Sequence, residues 1–270
     1  MTTSKLTQAI ELDKPLFVLK LGGSMLKEVS DSFIQSVIEL RKNHYVLFVH
    51  GGGPEINGML EKLKIPSVFV NGQRKTTEPV LEIVEMVLGG KMNQLLSGKL
   101  KAHGIQTVGL SGHDIITASY LDHDSLGFVG KVEKVDDCLL RTLLKDGYVP
   151  VIAPLGKTKD GQTVNINADV CAAAVAEALK AERLLFVTDV PGILKNGELL
   201  EEATPSLIDD LIQEGTIYGG MIPKVTSAIS ALSDQLKEAM IVNGKGTIFH
   251  SGQFVGTKIK QQAFVSGSNQ

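Results

Sequence analysis

Short apolar runs alternate with longer amphipathic segments along almost the whole chain, and this alternation limits the folds open to it. The runs are continuous rather than alternating in polarity, which is typical of strands buried on both faces of a parallel sheet. We therefore predict an α/β fold with a mostly parallel sheet covered by helices on both faces. The predicted strands cover residues 16–21, 45–50, 67–70, 107–110, 149–154, 184–190, 238–244 and 247–250.

Two features divide this pattern. Residues 119–135 hold two runs with little helix between them, which predicts a hairpin, and residues 77–104 form the longest helix-like stretch. A soft boundary near residue 180 predicts an N-terminal lobe (1–180) and a C-terminal lobe (181–270) around one continuous sheet. Ligands of parallel sheets collect at the carboxyl ends of the strands, so we look for chemistry there.

Composition excludes several classes of function. The 270 residues carry 27 basic and 30 acidic side chains, a net charge of −3, without a block of like charge that would suit nucleic acid. No apolar run approaches the roughly 20 residues of a membrane span, and the first fifteen residues lack the apolar core of a signal peptide. The two cysteines have no metal-ligand spacing. We expect a cytoplasmic protein that binds neither nucleic acid nor membrane and has no protein metal site.

Two glycine-rich turns follow the first two predicted strands. The first is Lys20-Leu-Gly-Gly-Ser, and the second is His50-Gly-Gly-Gly-Pro-Glu, which opens a helix. Glycines at a helix N-terminus let backbone N–H groups approach an anion, and a lysine at a strand end adds a fixed positive charge. The alternative is a pair of ordinary turns, which is less favoured for two such turns together. His50 itself is better explained as a structural histidine than as a catalyst.

Two later segments could hold an amino-acid substrate. The turn Asn71-Gly-Gln-Arg74-Lys-Thr-Thr offers one arginine, whose guanidinium suits a carboxylate, although a solvated loop explains it equally well. In Asn165-Ile-Asn167-Ala-Asp169, the two asparagines face the same way if the segment is extended. Asp169 is also well placed as the N-cap of the following alanine-rich helix, and that role alone would explain it.

Two segments nearer the C-terminus complete the set. Thr188-Asp189-Val-Pro-Gly-Ile ends an apolar run with a polar turn, and Gly219-Gly-Met-Ile-Pro-Lys224 opens a helix with a lysine in its first turn. First turns prefer acidic residues, so a merely solvated Lys224 is the weaker explanation. No dinucleotide fingerprint is present, and a P-loop match at Gly156-Lys-Thr fails because residue 151 is Val. Glycine-rich turns that can bind anions, two separate lysines and an acidic residue together favour phosphoryl transfer, which depends on positioning and charge neutralisation.

The motifs taken in order resemble the amino acid kinase family over nearly the whole chain, from Lys20 to about Ile259. They are KLGGS, VHGGGPEIN, NGQRKTT, NINAD, FVTDVPGIL, GGMIPKV and GTKI. The resemblance implies a three-layer αβα sandwich, with an amino-acid-binding N-terminal lobe that forms a homodimer and a C-terminal lobe that binds ATP with Mg²⁺. It also implies that Lys20 and Lys224 neutralise the transferring phosphoryl group, while Asp169 holds both lysines in place.

The remaining site residues are carried over from the same motifs. For the substrate they are Gly52, Gly53, Arg74 and Asn165. For the phosphates and the nucleotide they are Gly22, Gly23, Asp189, Val190, Pro191, Gly192, Ile193, Leu194, Thr216, Ile217 and Tyr218.

Within the family, the sequence is most similar to the branch that phosphorylates the side-chain carboxylate of N-acetyl-L-glutamate in arginine biosynthesis. The alternatives are the branch that acts on acetylaminoadipate, one methylene longer, and a catalytically inactive amino-acid sensor on the same scaffold. One methylene is worth only roughly 1–3 kcal/mol in a pocket, so the first alternative stays open. In the family that the sequence resembles, arginine-sensitive enzymes are hexamers joined by an added N-terminal helix. The segment Ser4–Leu12 is too short to form much of such a helix, so we expect inhibition by arginine to be absent or weak.

Overall fold

The computed structural model describes residues 10–261, in which helices and strands alternate along the chain. The α-helices are α1 (Met25–Glu28), α2 (Asp31–Leu40), α3 (Gly53–Lys62), α4 (Glu78–Glu85), α5 (Asn93–Ala102), α6 (His123–Leu126), α7 (Cys138–Lys145), α8 (Ala168–Ala178), α9 (Pro205–Gln213) and α10 (Met221–Ser230). A π-helical segment (Met86–Met92) joins α4 to α5, and a 3₁₀ turn covers Gly112–Asp114.

The strands are mostly short. They are β1 (Leu16–Leu21), β2 (Tyr45–His50), β3 (Phe69–Val70), β4 (Gln73–Arg74), β5 (Thr107–Ser111), β6 (Ile116–Tyr120), β7 (Val129–Val135), β8 (Val149–Ala153), β9 (Leu155–Lys157), β10 (Thr163–Ile166), β11 (Arg183–Thr188), β12 (Leu194–Lys195), β13 (Glu198–Leu199), β14 (Glu202–Ala203), β15 (Glu238–Asn243), β16 (Phe249–His250), β17 (Gln253–Phe254) and β18 (Thr257–Lys260).

One eight-stranded sheet organises the molecule, in the order β14-β18-β15-β11-β1-β2-β8-β5. The six strands from β15 to β5 are parallel to one another, and β18 runs antiparallel to β15 at one side. The prediction of a mostly parallel sheet is therefore confirmed. Because β1 lies at the centre, its carboxyl end has β2 on one side and β11 on the other.

Two apolar cores lie on opposite faces of this sheet. Alternate residues of β1 divide between them, since Phe17 and Leu19 join the core under α1–α5, whereas Leu16 and Val18 join the core under α7–α10. All four side chains are almost fully buried. Helices thus cover both faces, which confirms the three-layer αβα arrangement. Among the described residues, no helix is both long enough and apolar enough to cross a bilayer.

The smaller elements differ in part from the prediction. The hairpin at residues 119–135 is confirmed as the antiparallel pair β6–β7, which joins β9 and β10 in a small closed barrel that the sequence did not reveal. Residues 67–70 were predicted as a strand of the sheet. Only Phe69–Val70 is extended, and it pairs with β4 in a separate hairpin whose Phe69 side chain is exposed.

Candidate active site

The two glycine turns lie against each other at the carboxyl edge of the sheet. β1 and β2 are parallel neighbours with Leu21 opposite His50, so the turns that follow them start at the same level. A Cβ added to Gly23 would lie 2.8 Å from the Cα of Gly52, and one added to Gly52 would lie 2.6 Å from a methyl carbon of Leu88. The first clash is with backbone, so position 23 requires glycine, whereas at position 52 the Leu88 side chain would have to move. The predicted adjacency of the two turns is confirmed.

The second turn presents free backbone donors. Gly52 is the residue before α3, and its carbonyl accepts the first helical hydrogen bond, from Ile56 N, at 2.9 Å. Within residues 10–261, no acceptor is bonded to the N–H groups of Gly23, Gly52 or Gly53. Free N–H groups at a helix N-terminus carry partial positive charge and bind anions. This edge of the sheet can therefore cradle a carboxylate or a phosphate.

His50 supports the second turn from inside the protein. Its side chain is fully buried, and burial lowers its pKa to about 4, so the ring is neutral at physiological pH. Nδ1 lies 3.0 Å from the Gly51 carbonyl and Nε2 lies 3.2 Å from the amide nitrogen of Asn93. A carbonyl only accepts, so Nδ1 carries the proton and Nε2 accepts from Asn93. These contacts agree with the structural role expected from the sequence.

A cavity of about 310 Å³ opens beside the two turns. Six of the predicted residues line it together, although they come from four separate parts of the chain. They are Lys20, Gly23, Gly52, Gly53, Arg74 and Asn165. Its apolar wall includes Phe69, Leu88 and Pro154. A pocket of this size with a few convergent polar groups is typical of a small-molecule site.

Arg74 is a buried cation without a counter-ion among residues 10–261. Its side chain is only 8% exposed, and its guanidinium donates to Asn57 Oδ1 at 2.7 Å and to Ser67 Oγ at 2.5 Å. The ring of Phe69 packs against it, 4.7 Å from the guanidinium carbon. No carboxylate of residues 10–261 pairs with Arg74, and burial lowers its pKa. A buried charge held by neutral partners is stabilised by an anion, so this guanidinium could bind a ligand carboxylate.

The asparagine segment has a different cap from the one expected. Asn165 donates to Thr76 Oγ1 at 3.1 Å, and its side chain lines the cavity. Asn167, not Asp169, is the N-cap of α8, since Asn167 Oδ1 accepts from the N–H groups of Asp169 and Val170. The interpretation of Asp169 as the N-cap was wrong. Because Asn167 holds the helix start, the Asp169 carboxylate is free for other partners.

Asp169 links two elements through its two oxygens. Oδ1 lies 2.6 Å from the ammonium of Lys20 on β1, and Oδ2 accepts a 2.8 Å hydrogen bond from Ser227 on α10. The expectation that Asp169 holds Lys20 agrees with this geometry. The same expectation for Lys224 does not, because the Lys224 ammonium lies 2.6 Å from Oδ1 of Asp189. Lys224 is thus held by the polar turn after β11, and its hydrogen bond to Asp189 lowers the pKa of that carboxyl.

The predicted nucleotide segments lie on the other side of β1, after β11 and before α10. Gly192 has a φ of +145°, and a Cβ there would lie 2.5 Å from Thr257 Oγ1, which accepts from Ile193 N at 2.8 Å. The side chains of Ile193 and Ile217 are buried in the core under α7–α10, so only their backbone could contact a ligand.

The other members of these segments are more accessible. Tyr218 is 75% exposed, Leu194 and Pro191 are exposed, and Val190 and Thr216 are half-buried.

Comparison with known proteins shows which family this chain belongs to. Residues 15–243 match the amino acid kinase family. The chain is 54% identical to the acetylglutamate kinase of Geobacillus stearothermophilus, covering 92% of this chain and 97% of the relative. It is 51% identical to the acetylglutamate kinase of Bacillus subtilis (strain 168), covering 91% and 96%. The chain belongs to the amino acid kinase family.

The fold agrees with membership of the amino acid kinase family. The structure of smu.665 from Streptococcus mutans UA159 superposes with a TM-score of 0.78 at 31% identity, covering 91% of this chain and 98% of that one. A carbamate kinase from Giardia lamblia bound to AMP-PNP has a TM-score of 0.64 at 17% identity, covering 93% and 99%. The family and the fold predicted from the motifs are both confirmed, and the chain is a phosphotransferase of this family.

Sequence reasoning missed the residues that hold the predicted ones. Asn57, Ser67 and Phe69 orient Arg74, and Ser227 holds Asp169, but none of the four stands out in the sequence. Asn57 offered the only signal, since it lies in the first helix after the glycine turn at the pocket's edge. The other three are ordinary loop, strand or helix residues whose roles depend on tertiary contacts.

Proposed function

We propose that the chain transfers the γ-phosphoryl group of ATP to the side-chain carboxylate of N-acetyl-L-glutamate, forming N-acetyl-L-glutamyl 5-phosphate, as a step of arginine biosynthesis. Relatives named acetylglutamate kinase, at about half identity over nine-tenths of the chain, support this activity. The observation that supports this activity most directly is that Arg74, buried and not paired with any carboxylate of residues 10–261, shares a cavity with Lys20 and the two glycine turns. Arg74 can hold the carboxylate that does not react. Lys20 and the glycine turns can donate to the carboxylate that does react.

Arg74 and Asn165 would hold the substrate. The guanidinium fork of Arg74 suits the α-carboxylate, since it can donate two parallel hydrogen bonds. Asn165 offers an amide in the same cavity, and an amide matches a neutral acetamide better than a charged amine. Free glutamate would bring an ammonium group close to Arg74 and Lys20, so we expect it to be a poor acceptor.

Lys20, Lys224 and Asp169 would carry the transfer. Phosphoryl transfer needs little beyond positioning and charge neutralisation, because the reacting groups supply the nucleophile and the leaving group. The N–H groups of Gly22, Gly23, Gly52 and Gly53 and the two ammonium groups would stabilise the charge that spreads over the phosphoryl oxygens. The Lys224 ammonium is paired with Asp189 in this structure. A phosphate of the bound nucleotide must therefore replace Asp189 as its partner.

ATP would lie along Asp189–Leu194 and 216–218, with the phosphates directed towards Lys20 and Lys224. The chain's residues fit Mg²⁺ only as a companion of the nucleotide, because no group of three or more His, Cys, Asp or Glu side chains among residues 10–261 could hold a metal ion. Mg²⁺ commonly binds through substrate phosphates with one or two carboxylates, and Asp189 is 55% exposed beside this segment. When bound, Mg²⁺ would neutralise part of the phosphate charge.

The division of labour between lobes belongs to the same proposal. Residues 1–180 would bind the amino acid and form the homodimer, and residues 181–270 would bind ATP. The proposed boundary falls between α8 and β11. We also propose the cytoplasm as the site of action. The N-terminal segment on which the expected weakness of arginine inhibition depends lies largely outside residues 10–261.

Turnover against a panel of acceptors tests the substrate assignment. Formation of ADP is coupled to a spectrophotometric readout with N-acetyl-L-glutamate, acetylaminoadipate and free glutamate, each with ATP and Mg²⁺. We expect kcat/KM for acetylglutamate to exceed that for acetylaminoadipate by about tenfold or more, since one methylene changes binding by roughly 1–3 kcal/mol. Equal kcat/KM values for the two acceptors would contradict the assignment of acetylglutamate as the substrate, although the protein would still be a carboxylate kinase. No turnover, with acetylglutamate still bound in calorimetry, would favour the inactive sensor.

A further inference from the structure

The two oxygens of Asp169 have separate partners on separate elements. Oδ1 contacts Lys20 at the end of the central strand β1, and Oδ2 accepts the hydroxyl of Ser227 from α10. Ser227 lies three residues after Lys224 on α10, so both side chains lie on neighbouring parts of one helix face. Among residues 10–261, the Ser227 hydroxyl is the polar side-chain contact between Asp169 and α10, because the Lys224 ammonium is on Asp189.

We propose that Ser227 is a positioning residue for phosphoryl transfer, a role that rests on the function proposed above. By bonding Asp169, Ser227 sets the position of α10, and with it Lys224, relative to Lys20. The two lysines belong to different elements on either side of the proposed phosphoryl group. Asp169 and Ser227 therefore form the link through which one lysine is placed relative to the other.

The surroundings of this link explain why a single hydroxyl matters. A cavity of about 400 Å³ lies between α8 and α10, and Asp169 and Ser227 both line it together with small side chains such as Ala173, Ala174 and Ser230. Small side chains leave the Oδ2 side of the carboxylate without close packing. The hydrogen bond is to an ionised acceptor, which makes it stronger than one between neutral groups. Without it, the carboxylate can turn about its last torsion, which has a broad minimum, and Oδ1 moves together with Lys20.

The effect should appear in kcat rather than in substrate binding. Neither Asp169 nor Ser227 lines the Arg74 cavity, so neither would contact acetylglutamate directly. Transfer depends on the relative placement of both lysines, and a displacement of about 1 Å can cost up to a hundredfold in rate. Water can enter the 400 Å³ cavity and hydrate Oδ2 in a variant without the hydroxyl, so the fold should survive.

Four variants on the full chain test the proposal, after turnover of acetylglutamate by the parent has been measured. Ser227→Ala should lower kcat on the order of tenfold with little change in KM for either substrate. Ser227→Cys should behave similarly, because a thiol is a weak donor. Ser227→Thr keeps the hydroxyl and should stay nearer the parent. Ser230→Ala, one turn further along α10 and exposed, is the matched control and should keep the parent's kcat.

A double-variant comparison shows whether Ser227 acts through Asp169. In an Asp169→Asn background, Ser227→Ala should change kcat by less than about twofold, since the partner has already been altered. The proposal is overturned if Ser227→Ala keeps the parent's kcat, or if its effect is equally large in both backgrounds. A parent that does not turn over acetylglutamate would overturn the proposed function and this inference together, whereas an active parent with an unaffected Ser227→Ala variant overturns the inference alone.

Discussion

Three cations of the candidate site lie in three different electrostatic settings. Arg74 is buried among neutral partners, Lys20 is paired with Asp169, and Lys224 is paired with the half-exposed Asp189. Arg74 cannot move without losing its contacts to Asn57 and Ser67, so it suits a ligand group that stays in place. The lysines are flexible point charges that can exchange one anion for another as charge moves.

This contrast predicts opposite kinetic effects at Lys224 and Arg74. A contact made only in the transition state lowers kcat when it is removed, whereas uniform binding raises KM. Lys224→Ala should therefore lower kcat on the order of 10²–10³, by analogy with the loss of one oxyanion donor. Arg74→Lys loses the planar fork and should raise KM for acetylglutamate, with KM for ATP unchanged. Steady-state kinetics with each substrate varied in turn measure both effects.

Matched controls separate these effects from general damage. Arg41→Lys replaces another partly buried arginine, one that donates to the Gly147 carbonyl away from the cavity, and Lys237→Ala removes an exposed lysine after α10. Both should keep the parent's kinetics. The assigned roles are wrong if Arg74→Lys abolishes kcat at saturating substrate, or if Lys224→Ala stays within a few-fold of the parent. Circular dichroism must first show that each variant is folded.

The buried His50 makes stability depend on pH. The unfolded chain takes up the imidazole proton near pH 6.5, but the folded chain does so only near pH 4, so the unfolded state binds more protons between these values. Stability contributed by the neutral ring is complete above pH 6.5 and is lost as the pH falls towards 4. At pH 5 the loss is about 2 kcal/mol.

Urea unfolding at pH 7 and pH 5 tests this pH dependence of stability. The parent is compared with His50→Gln and His250→Gln. His50→Gln should remove about 2 kcal/mol of the parent's loss between the two pH values, and the exposed control His250→Gln should not. An unchanged loss in His50→Gln would show that the ring titrates normally in the folded protein.

At the scale of elements, continuous apolar runs made the central strands predictable. β1, β2, β8 and β15 lie within one residue of the predicted runs and β11 within two, because strands buried on both faces leave a signal that needs no partner to be recognised. Of the barrel strands, β6 and β7 were predicted as a hairpin, but β9 and β10 leave no such signal, since they are short and their pairing depends on contacts within the barrel. The π-helical segment was also missed, because one extra residue per turn inside a long apolar helix hardly changes its periodicity.

The helix α8 shows how a neighbouring residue can take an expected role. Asn167 and Asp169 are both good N-caps, and the sequence alone cannot choose between them. The structure places Asn167 at the cap and Asp169 in the first turn, where the carboxylate favours the helix dipole and still contacts Lys20. The cap therefore fixes the start of α8 and, with it, the position of the Asp169 carboxylate.

Asn167→Ala should consequently affect both stability and activity. Loss of the cap should cost about 1 kcal/mol of unfolding free energy, and the shifted helix start should also lower kcat. Ser30→Ala removes the corresponding cap of α2, whose hydroxyl accepts from Phe33 N, and is the matched control. It should cost a similar free energy without lowering kcat. Equal kcat values for the two variants would contradict a role of the cap in placing Asp169.

At the scale of the whole molecule, the order of strands brings distant motifs to one edge of the sheet. Parallel strands end on the same side, so the glycine turns after β1 and β2 and the Asp189 turn after β11 could be placed together from sequence. The ion pairs could not be predicted from sequence, because Asp169 and Asp189 both lie within the predicted site and either could pair with Lys224. That choice depends on the packing of α10, which no local pattern describes.

The proposed homodimer should depend on the N-terminal lobe. Several large apolar side chains are exposed there, among them Leu63, Val68 and Met86, the last 60% exposed. Met86→Glu should shift the sedimentation equilibrium towards monomer, because it places a charge on a surface that we expect to be buried between copies. Val255→Glu, at an exposed apolar position of the C-terminal lobe, is the control and should leave the dimer intact. A parent that sediments as a monomer would contradict the dimer.

The most direct test of the central claim identifies the bond that is formed. Transfer to a carboxylate gives an acyl phosphate, which hydroxylamine converts to a stable hydroxamate with release of phosphate. With ATP, Mg²⁺, N-acetyl-L-glutamate and hydroxylamine, we predict that the 5-hydroxamate of N-acetylglutamate accumulates in proportion to ADP, as measured by mass spectrometry. ADP formed without hydroxamate would mean that the phosphoryl group goes to water or to another acceptor, and would contradict the account.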